Sequence, residues 1–511
     1  MSVETAPSRA EPGPTAADPP NAPTRKGVRE FVADNLIVAA AQLLTKLRSI
    51  VMLPLIVRGL GTAGYGVWAQ VLAFVGFVGA IVSWNLHHPL VQSIAADRKS
   101  AARTYTTLTL ATVAFAVLGV VAVVPVTGFT SRLMLGDANI EGYLLLALLL
   151  ALFNNVRQMN LSVYRALGRF TARGVLDLGG ALLELGAIAA VLTLGHGLGA
   201  VLGVMVVCGG LVAIVGSVHA GMLVGWARPA WPILRAALRY STPLMPGVLS
   251  LWILDRGDRF VIGHYLGAVG VARYSASYAV GFLLLHALAP LQMTLLPRVA
   301  ELWDRDRALA GRYIVTSNRV FVALAIPYIA ATYFVAPPLL AELANEEIAS
   351  QAAPTSTLVA VGIAFYGIGN LQAQAFYAAK RTGVIGIIWA LAALLNVGLN
   401  FLLVPRMGVA GAALATAVSY AATCAAFARA LRGLIKFDYQ PLHVLKAAVA
   451  SCPMALTLWL LSPRGVASLL GSCALAGGVY FAAFLALRGF SSAEIDLGRR
   501  ALARLRRRRR A

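Results

Sequence analysis

Residues 255–259 read Asp-Arg-Gly-Asp-Arg inside a run that is otherwise apolar. Charge inside an apolar helix is costly unless it is paired or meets a ligand, so each such residue is a site hypothesis. Asp255 and Arg259 stand four residues apart and are expected to pair along one helix face. Arg256 points to another face, which makes it a candidate for binding an anion, with Arg259 as the second candidate in this run. In the first apolar run Asn35, Gln42, Lys46 and Ser49 fall within about 60° of arc at 100° per residue. Lys46 is at mid-depth of that run, and Arg48 projects roughly 140° from Asn35. Lys46 and Arg48 are therefore the matching candidates there. Cations lining a low-dielectric cavity attract anions strongly. Snorkelling or a structural ion pair is the plain alternative.

Amides are the second polar group. The fourth apolar run carries Asn154, Asn155, Arg157, Gln158 and Asn160; the tenth carries Asn370, Gln372 and Gln374; the eleventh carries Asn396 and Asn400. Hydrogen bonding between helices accounts for most such residues. Asn35, Gln42, Asn154, Gln158, Asn370, Gln374 and Asn396 are the candidates for lining a cavity. Asp177 and Glu184 are seven apart, hence on one helix face. Together with Asp255 and Asp258 they are candidates for relaying protons or binding a coupling cation, and Asp177 or Glu184 could instead pair with Arg157. His87, His88 and His286 are too isolated for a metal site, and the four cysteines lack CxxC spacing. No catalytic constellation, metal or cofactor is expected.

These residues sit on elements dictated by composition. The 511 residues are 59% hydrophobic and 13% charged, against ~45–50% and ~25% for a soluble domain. That excess cannot be buried in one soluble core, so lipid must cover it. About 20 apolar residues cross ~30 Å of hydrocarbon as a helix, whose backbone groups are satisfied internally. Apolar runs lie near 32–57, 65–84, 104–125, 140–163, 175–195, 198–224, 241–263, 271–296, 314–336, 354–378, 383–404, 408–430, 442–461 and 466–487. The expected fold class is an all-α polytopic membrane protein of about fourteen transmembrane helices. Pro54, Pro243, Pro246, Pro290, Pro297 and Pro327 interrupt these runs, as bent membrane helices allow.

The net charge of +22 raises nucleic acid as a partner, but the cations lie in short loops and a terminal tail, which excludes a groove-binding patch. Alternate loops carry them: Arg98, Lys99 and Arg103; Arg165, Arg169 and Arg173; Arg228, Arg235 and Arg239; Arg298 to Arg312; Lys380 and Arg381; Arg429, Arg432 and Lys436. The intervening loops are poor in cations, and 337–350 reads as an acidic loop through Glu342, Glu346 and Glu347. Cations collect on the cytoplasmic side, which predicts an inner-membrane protein with both termini in the cytoplasm. Residues 1–30 lack the apolar core of a signal peptide and are expected to be disordered. The tail 489–511 ends in five arginines before Ala511 and is expected to bind anionic membrane lipid.

The chain also repeats itself. Residues 60–66 (LGTAGYG) match 266–272 (LGAVGVA) at an offset of 206, and 197–202 (GLGAVL) match 408–414 (GVAGAAL) near 211. Glu184 then falls opposite Asn396, and Arg48 maps next to the 255–259 cluster. This predicts two six-helix lobes, 31–225 and 241–435, joined by a linker at 226–240 and followed by two added helices within 436–488. Such repeats place a substrate between the halves, which rock to alternate access.

The runs RGLGTAGYGVWA, DRFVIGHYLGAVGVARYSASYAVG and LNVGLNFLLVPRMGVAGAALATAVSY resemble the Wzx-type polysaccharide-transport flippases of the MOP superfamily, which includes the MATE transporters and lipid II flippases. The resemblance covers roughly 31–435. It implies two MATE-like lobes and translocation of a polyprenyl-pyrophosphate-linked oligosaccharide across the inner membrane for O-antigen, exopolysaccharide or capsule synthesis. It further implies that Lys46 or Arg48 lines the central cavity and meets the pyrophosphate, that sugar binding uses some of the amides, and that a polymerase or glycosyltransferases are partners. A cation-coupled multidrug exporter is the alternative; exporters of that kind commonly use a buried acid in an early helix, whereas here the first run is cationic at mid-depth and Asp34 lies near its start, which favours an anionic substrate. A membrane glycosyltransferase or polymerase needs more extramembrane chain than the short loops supply.

Overall fold

The computed structural model describes the backbone of residues 25–135, 140–435 and 440–490, with side chains from residue 51 onward. Every described regular element is helical. The first half contains α1 (Arg25–Val82), α2 (His87–Ala96), α3 (Ala101–Val123), α4 (Thr127–Leu135), α5 (Glu141–Ala166), α6 (Phe170–Thr193) and α7 (Leu198–Val224). Then come α8 (Trp231–Ser241), α9 (Met245–Trp252), a π-helical turn at Ile253–Gly257, α10 (Asp258–Phe282), α11 (Leu285–Leu302) and α12 (Arg307–Leu343). The chain continues through α13 (Glu346–Ala349), α14 (Ala352–Ala378), α15 (Thr382–Met407), α16 (Val409–Leu431), α17 (Pro441–Leu461) and α18 (Val466–Ala486).

Eleven described helices are long and apolar enough to cross a membrane, and the pair Trp231–Phe282 and Leu285–Leu302, bent by 44°, makes a twelfth. Two of these contain a non-helical glycine: Gly61 in α1 (φ 73°, ψ 177°) and Gly267 in α10 (φ 64°, ψ −167°). Only glycine visits that conformation cheaply. The 58 residues of α1 would measure about 87 Å as a straight rod, far more than a bilayer core of about 30 Å. Among the described residues each of the two breaks divides one counted helix, as an arrangement of fourteen spans requires.

The two breaks are copies of one local structure. A Cβ on Gly64 would stand 2.6 Å from Leu60 Cβ, and one on Gly270 would stand 2.5 Å from Leu266 Cβ. The breaks also meet: α1 packs along α10, and Gly66 lies against the backbone carbonyl of Ala268 so closely that a Cβ would overlap it. Beside it, Asn345 Nδ2 donates to Thr62 Oγ1 at 2.9 Å.

Within the first lobe α5 packs on α7 and α1 on α6; within the second α14 packs on α16 and α12, and α15 on α16. The last two helices flank α12, where Met454, Leu458 and Ala476 form a small buried cluster and Tyr480 donates to the Ala323 carbonyl at 2.6 Å. Two expectations change. The stretch 226–240 is more than a linker, because α8 begins at Trp231 and docks on α2 and α3. Its apolar residues alternate with Arg235 and Arg239 at helical spacing, so no long apolar run announces it. The acidic stretch 337–350 is largely helical: α12 runs through Pro337 and Pro338 to Leu343, and the Asn345 side chain caps α13 by accepting from Ile348 N. The backbone is already helical from Arg25, within the stretch expected to be disordered, while residues 1–24 and the arginine tail 491–511 lie outside the described residues.

Candidate substrate site on the seventh span

The Asp-Arg-Gly-Asp-Arg cluster lies on and just after the π-helical turn at Ile253–Gly257. A π turn adds a residue to the helical circuit and is frequent at functional sites. It also changes the pairing. The expected Asp255–Arg259 ion pair does not form; Arg259 Nη1 instead contacts Asp258 Oδ1 at 3.1 Å and donates to the backbone oxygen of Asp255 at 2.9 Å. The α-helical offset of four no longer stacks these two side chains once the circuit is widened. Asp258 is fully buried and accepts from Tyr274 as well. The Arg259 guanidinium lies 4.8 Å from the ring centre of Tyr278 and 5.6 Å from that of Tyr274. A buried charge pair of this kind holds only with such additional contacts.

Arg256 is placed differently. Its side chain is 47% exposed, against 12% for Arg259. It contacts Asp255 Oδ2 at 3.2 Å, while Tyr278 donates to Asp255 Oδ1 at 3.0 Å. A Cβ on Gly76, in the second span, would stand 3.7 Å from Arg256 Nη1 and 2.9 Å from Trp252 Nε1. The neighbouring Phe77 ring centre is 4.9 Å from that of Trp252. Arg256 therefore lies where the two lobes face each other, with a glycine opposite. Within the described side chains of this span it is the cation with most of its surface left for an anion.

The other candidates divide by neighbour. Arg157 pairs with Asp177 across α5 and α6, the pairing weighed from the sequence. Glu184 is half-buried on α6. Asn154 and Gln158 are exposed on α5, while Asn155 donates to the Gly79 carbonyl at 3.3 Å and Asn160 to the Ala213 carbonyl at 3.0 Å. Asn370 accepts from Gln292 at 2.6 Å, and Gln374 donates to the Asn370 carbonyl at 3.2 Å. Asn396 is buried and lies 3.4 Å from Thr416 Oγ1. Asn35, Gln42, Lys46 and Arg48 are on the helical backbone of α1, but their side chains lie outside the described residues. No group of three metal-ligating side chains occurs among the described residues.

Sequence reasoning missed Trp252, Tyr274, Tyr278, Tyr366, Tyr420 and Gly76. A tyrosine in an apolar run reads as core, and nothing in its spacing says that its hydroxyl meets a carboxylate from another part of the chain. Gly76 carries no repeat signature.

Helical spans arranged as two six-helix lobes followed by two further helices, with breaks repeated at equivalent positions, define an all-helical multi-pass membrane protein, the fold class expected from the sequence. The chain belongs to the polysaccharide biosynthesis protein family, whose model matches residues 55–346. It is 27% identical over 203 residues to a protein of Haloferax volcanii described as the probable flippase AglR; the match spans 39% of each chain. Among solved structures, the lipid II flippase MurJ in an inward closed conformation superposes with a TM-score of 0.70 at 13% identity, over 88% of this chain and 98% of that one. An inward-facing MATE multidrug resistance transporter gives 0.63 at 14% identity, over 78% and 94%.

Proposed function

We propose that this protein is a flippase that moves a polyprenyl-pyrophosphate-linked oligosaccharide from the inner to the outer leaflet of the cell membrane, for assembly into a surface polysaccharide. The observation that carries the reading is Arg256, an accessible guanidinium between the lobes whose one described charged partner is Asp255. Guanidinium groups bind phosphate oxygens in a bidentate manner, and a diphosphate is the charged part of such a lipid. Lys46 and Arg48 complete the cationic path from the first span, while Arg259 positions the seventh helix through Asp258. Family membership and the probable flippase among the relatives favour a lipid-linked glycan over a drug. The lobes 31–225 and 241–435 rock about the breaks at Gly61 and Gly267, with both termini in the cytoplasm and the arginine tail on anionic lipid. Asp255, Asp258, Asp177 and Glu184 are the residues from which ion coupling would be drawn, and a polymerase or glycosyltransferases would receive and supply the cargo.

A strain lacking the gene and any redundant flippase accumulates lipid-linked oligosaccharide on the cytoplasmic leaflet, detected by leaflet-selective enzymatic labelling. The wild-type chain restores the distribution and the Lys46→Ala, Arg256→Ala double variant does not. An unchanged leaflet distribution in the deletion strain contradicts the flippase reading.

A further inference from the structure

Resting on the flippase reading, we propose that a pocket in the second lobe takes the sugar ring attached directly to the diphosphate. The pocket has a volume of about 290 Å³ and is walled by Trp252, Asp255, Phe282, Tyr366 and Tyr420. This is at the lower edge of the range of about 300–1,000 Å³ for ligand pockets, a size that suits one pyranose rather than a chain of them. The rest of its wall is aliphatic, from Leu251, Leu285 and Ile363. Aromatic faces suit the C–H face of a sugar ring, and a carboxylate suits adjacent hydroxyl donors.

The carboxylate is built for this task. The Asp255 side chain is 38% exposed, and each of its oxygens already accepts one hydrogen bond, from Tyr278 and from Arg256. A carboxylate has about four acceptor sites, so both oxygens retain capacity for ligand hydroxyls. Arg256 balances its charge, which weakens the pull on an organic cation. Tyr366 and Tyr420 hold each other edge to face at 5.2 Å between ring centres, and Tyr420 donates to the Leu254 carbonyl at 3.4 Å. The rings are thus fixed before a ligand arrives, which limits the ordering cost of binding.

Position selects which sugar is read. Asp255 and Arg256 are sequence neighbours in direct contact at 3.2 Å. A diphosphate on Arg256 puts its own glycosidic carbon next to the pocket, whereas later sugars of the chain extend away from it. The pocket therefore favours a neutral or N-acetylated first sugar and rejects a uronate, whose carboxylate would face that of Asp255.

The test is calorimetric binding by the full-length protein in nanodiscs. The probes are farnesyl diphosphate and its conjugates with glucose, N-acetylglucosamine, galactose and glucuronate. The best neutral conjugate is expected to bind about tenfold tighter than farnesyl diphosphate, the increment of one good charged hydrogen bond. The glucuronate conjugate gains nothing. The ratio of conjugate to sugarless affinity, taken within each variant, falls to about one in Asp255→Ala and Tyr366→Ala and persists in Tyr366→Phe, which keeps the ring. Equal affinity of the wild-type protein for all five probes overturns the pocket while leaving the flippase reading standing. An unchanged ratio in both alanine variants, or a glucuronate conjugate that binds as tightly as the neutral ones, also overturns it. Failure to bind any of the five contradicts both readings.

Discussion

The two lobes share their breaks and differ in their charges. Gly61 and Gly267 adopt nearly the same backbone conformation 206 residues apart, and each is followed by a glycine pressed against the preceding leucine. The charges inside the described spans follow no such copy. In the first lobe Arg157 and Asp177 neutralise each other across α5 and α6, whereas the second lobe places two arginines and two aspartates within five residues of one helix. There the π turn sorts them, burying Arg259 with Asp258 and leaving Arg256 accessible between the lobes. The repeat sets where the chain bends. The charges on the spans differ between the two copies.

The sharpest way to break this contrast is to separate Asp258 from Arg259. Asp258→Ala leaves a buried guanidinium without its counter-charge and is expected to destabilise the protein by about 3–5 kcal/mol. The loss is read as a lowered midpoint of thermal unfolding in detergent. Arg256→Ala, which removes an accessible charge on the same helix, shifts that midpoint far less. Equal losses would mean that the π turn does not sort the two arginines.

The breaks should respond as a pair. Gly61→Ala and Gly267→Ala each force a side chain into a backbone region reserved for glycine, at about 1–3 kcal/mol apiece. The two denaturation midpoints should fall by similar amounts, and a loss confined to one break would undo the equivalence. Gly66→Ala tests how the breaks meet. Its methyl group overlaps the Ala268 carbonyl, so it forces α1 and α10 apart at that contact, at about 1–3 kcal/mol. A cysteine at Thr62, which is buried beside this contact, should then be labelled several-fold faster by a membrane-impermeant maleimide in a background lacking the four native cysteines. Smallest is Tyr274→Phe, which removes one donor to Asp258 and is expected to cost about 1–3 kcal/mol of stability, at the low end of that range while Arg259 still pairs with the carboxylate. Its unfolding midpoint should fall between those of the wild-type chain and Asp258→Ala.

Much of the architecture was legible because hydrocarbon imposes length and apolarity on every span, and because LGTAGYG and LGAVGVA print the repeat in the sequence. The site was legible only as a cluster. Asp255, Arg256, Asp258 and Arg259 stand out by being charged, yet the α-helical spacing rule paired Asp255 with Arg259, and a π turn has no spacing signature to warn against it. The tyrosines that complete the cluster come from beyond the Gly267 break of α10 and from α14 and α16, so only the packing reveals them. Short amphipathic α8 was lost for the opposite reason: it packs on α2 and α3 and carries no long apolar run.

The central claim is that Arg256 handles the charged part of a lipid-linked cargo. The most direct measurement is protein-dependent translocation of a fluorescent farnesyl-diphosphate-linked glycan in sealed vesicles containing the purified chain. The account predicts that the wild-type protein accelerates translocation, that Arg256→Ala lowers the rate by about tenfold or more, as the loss of a charge-assisted phosphate contact would, and that Arg256→Lys recovers part of it. An Arg256→Ala protein that moves the lipid at the wild-type rate would contradict it.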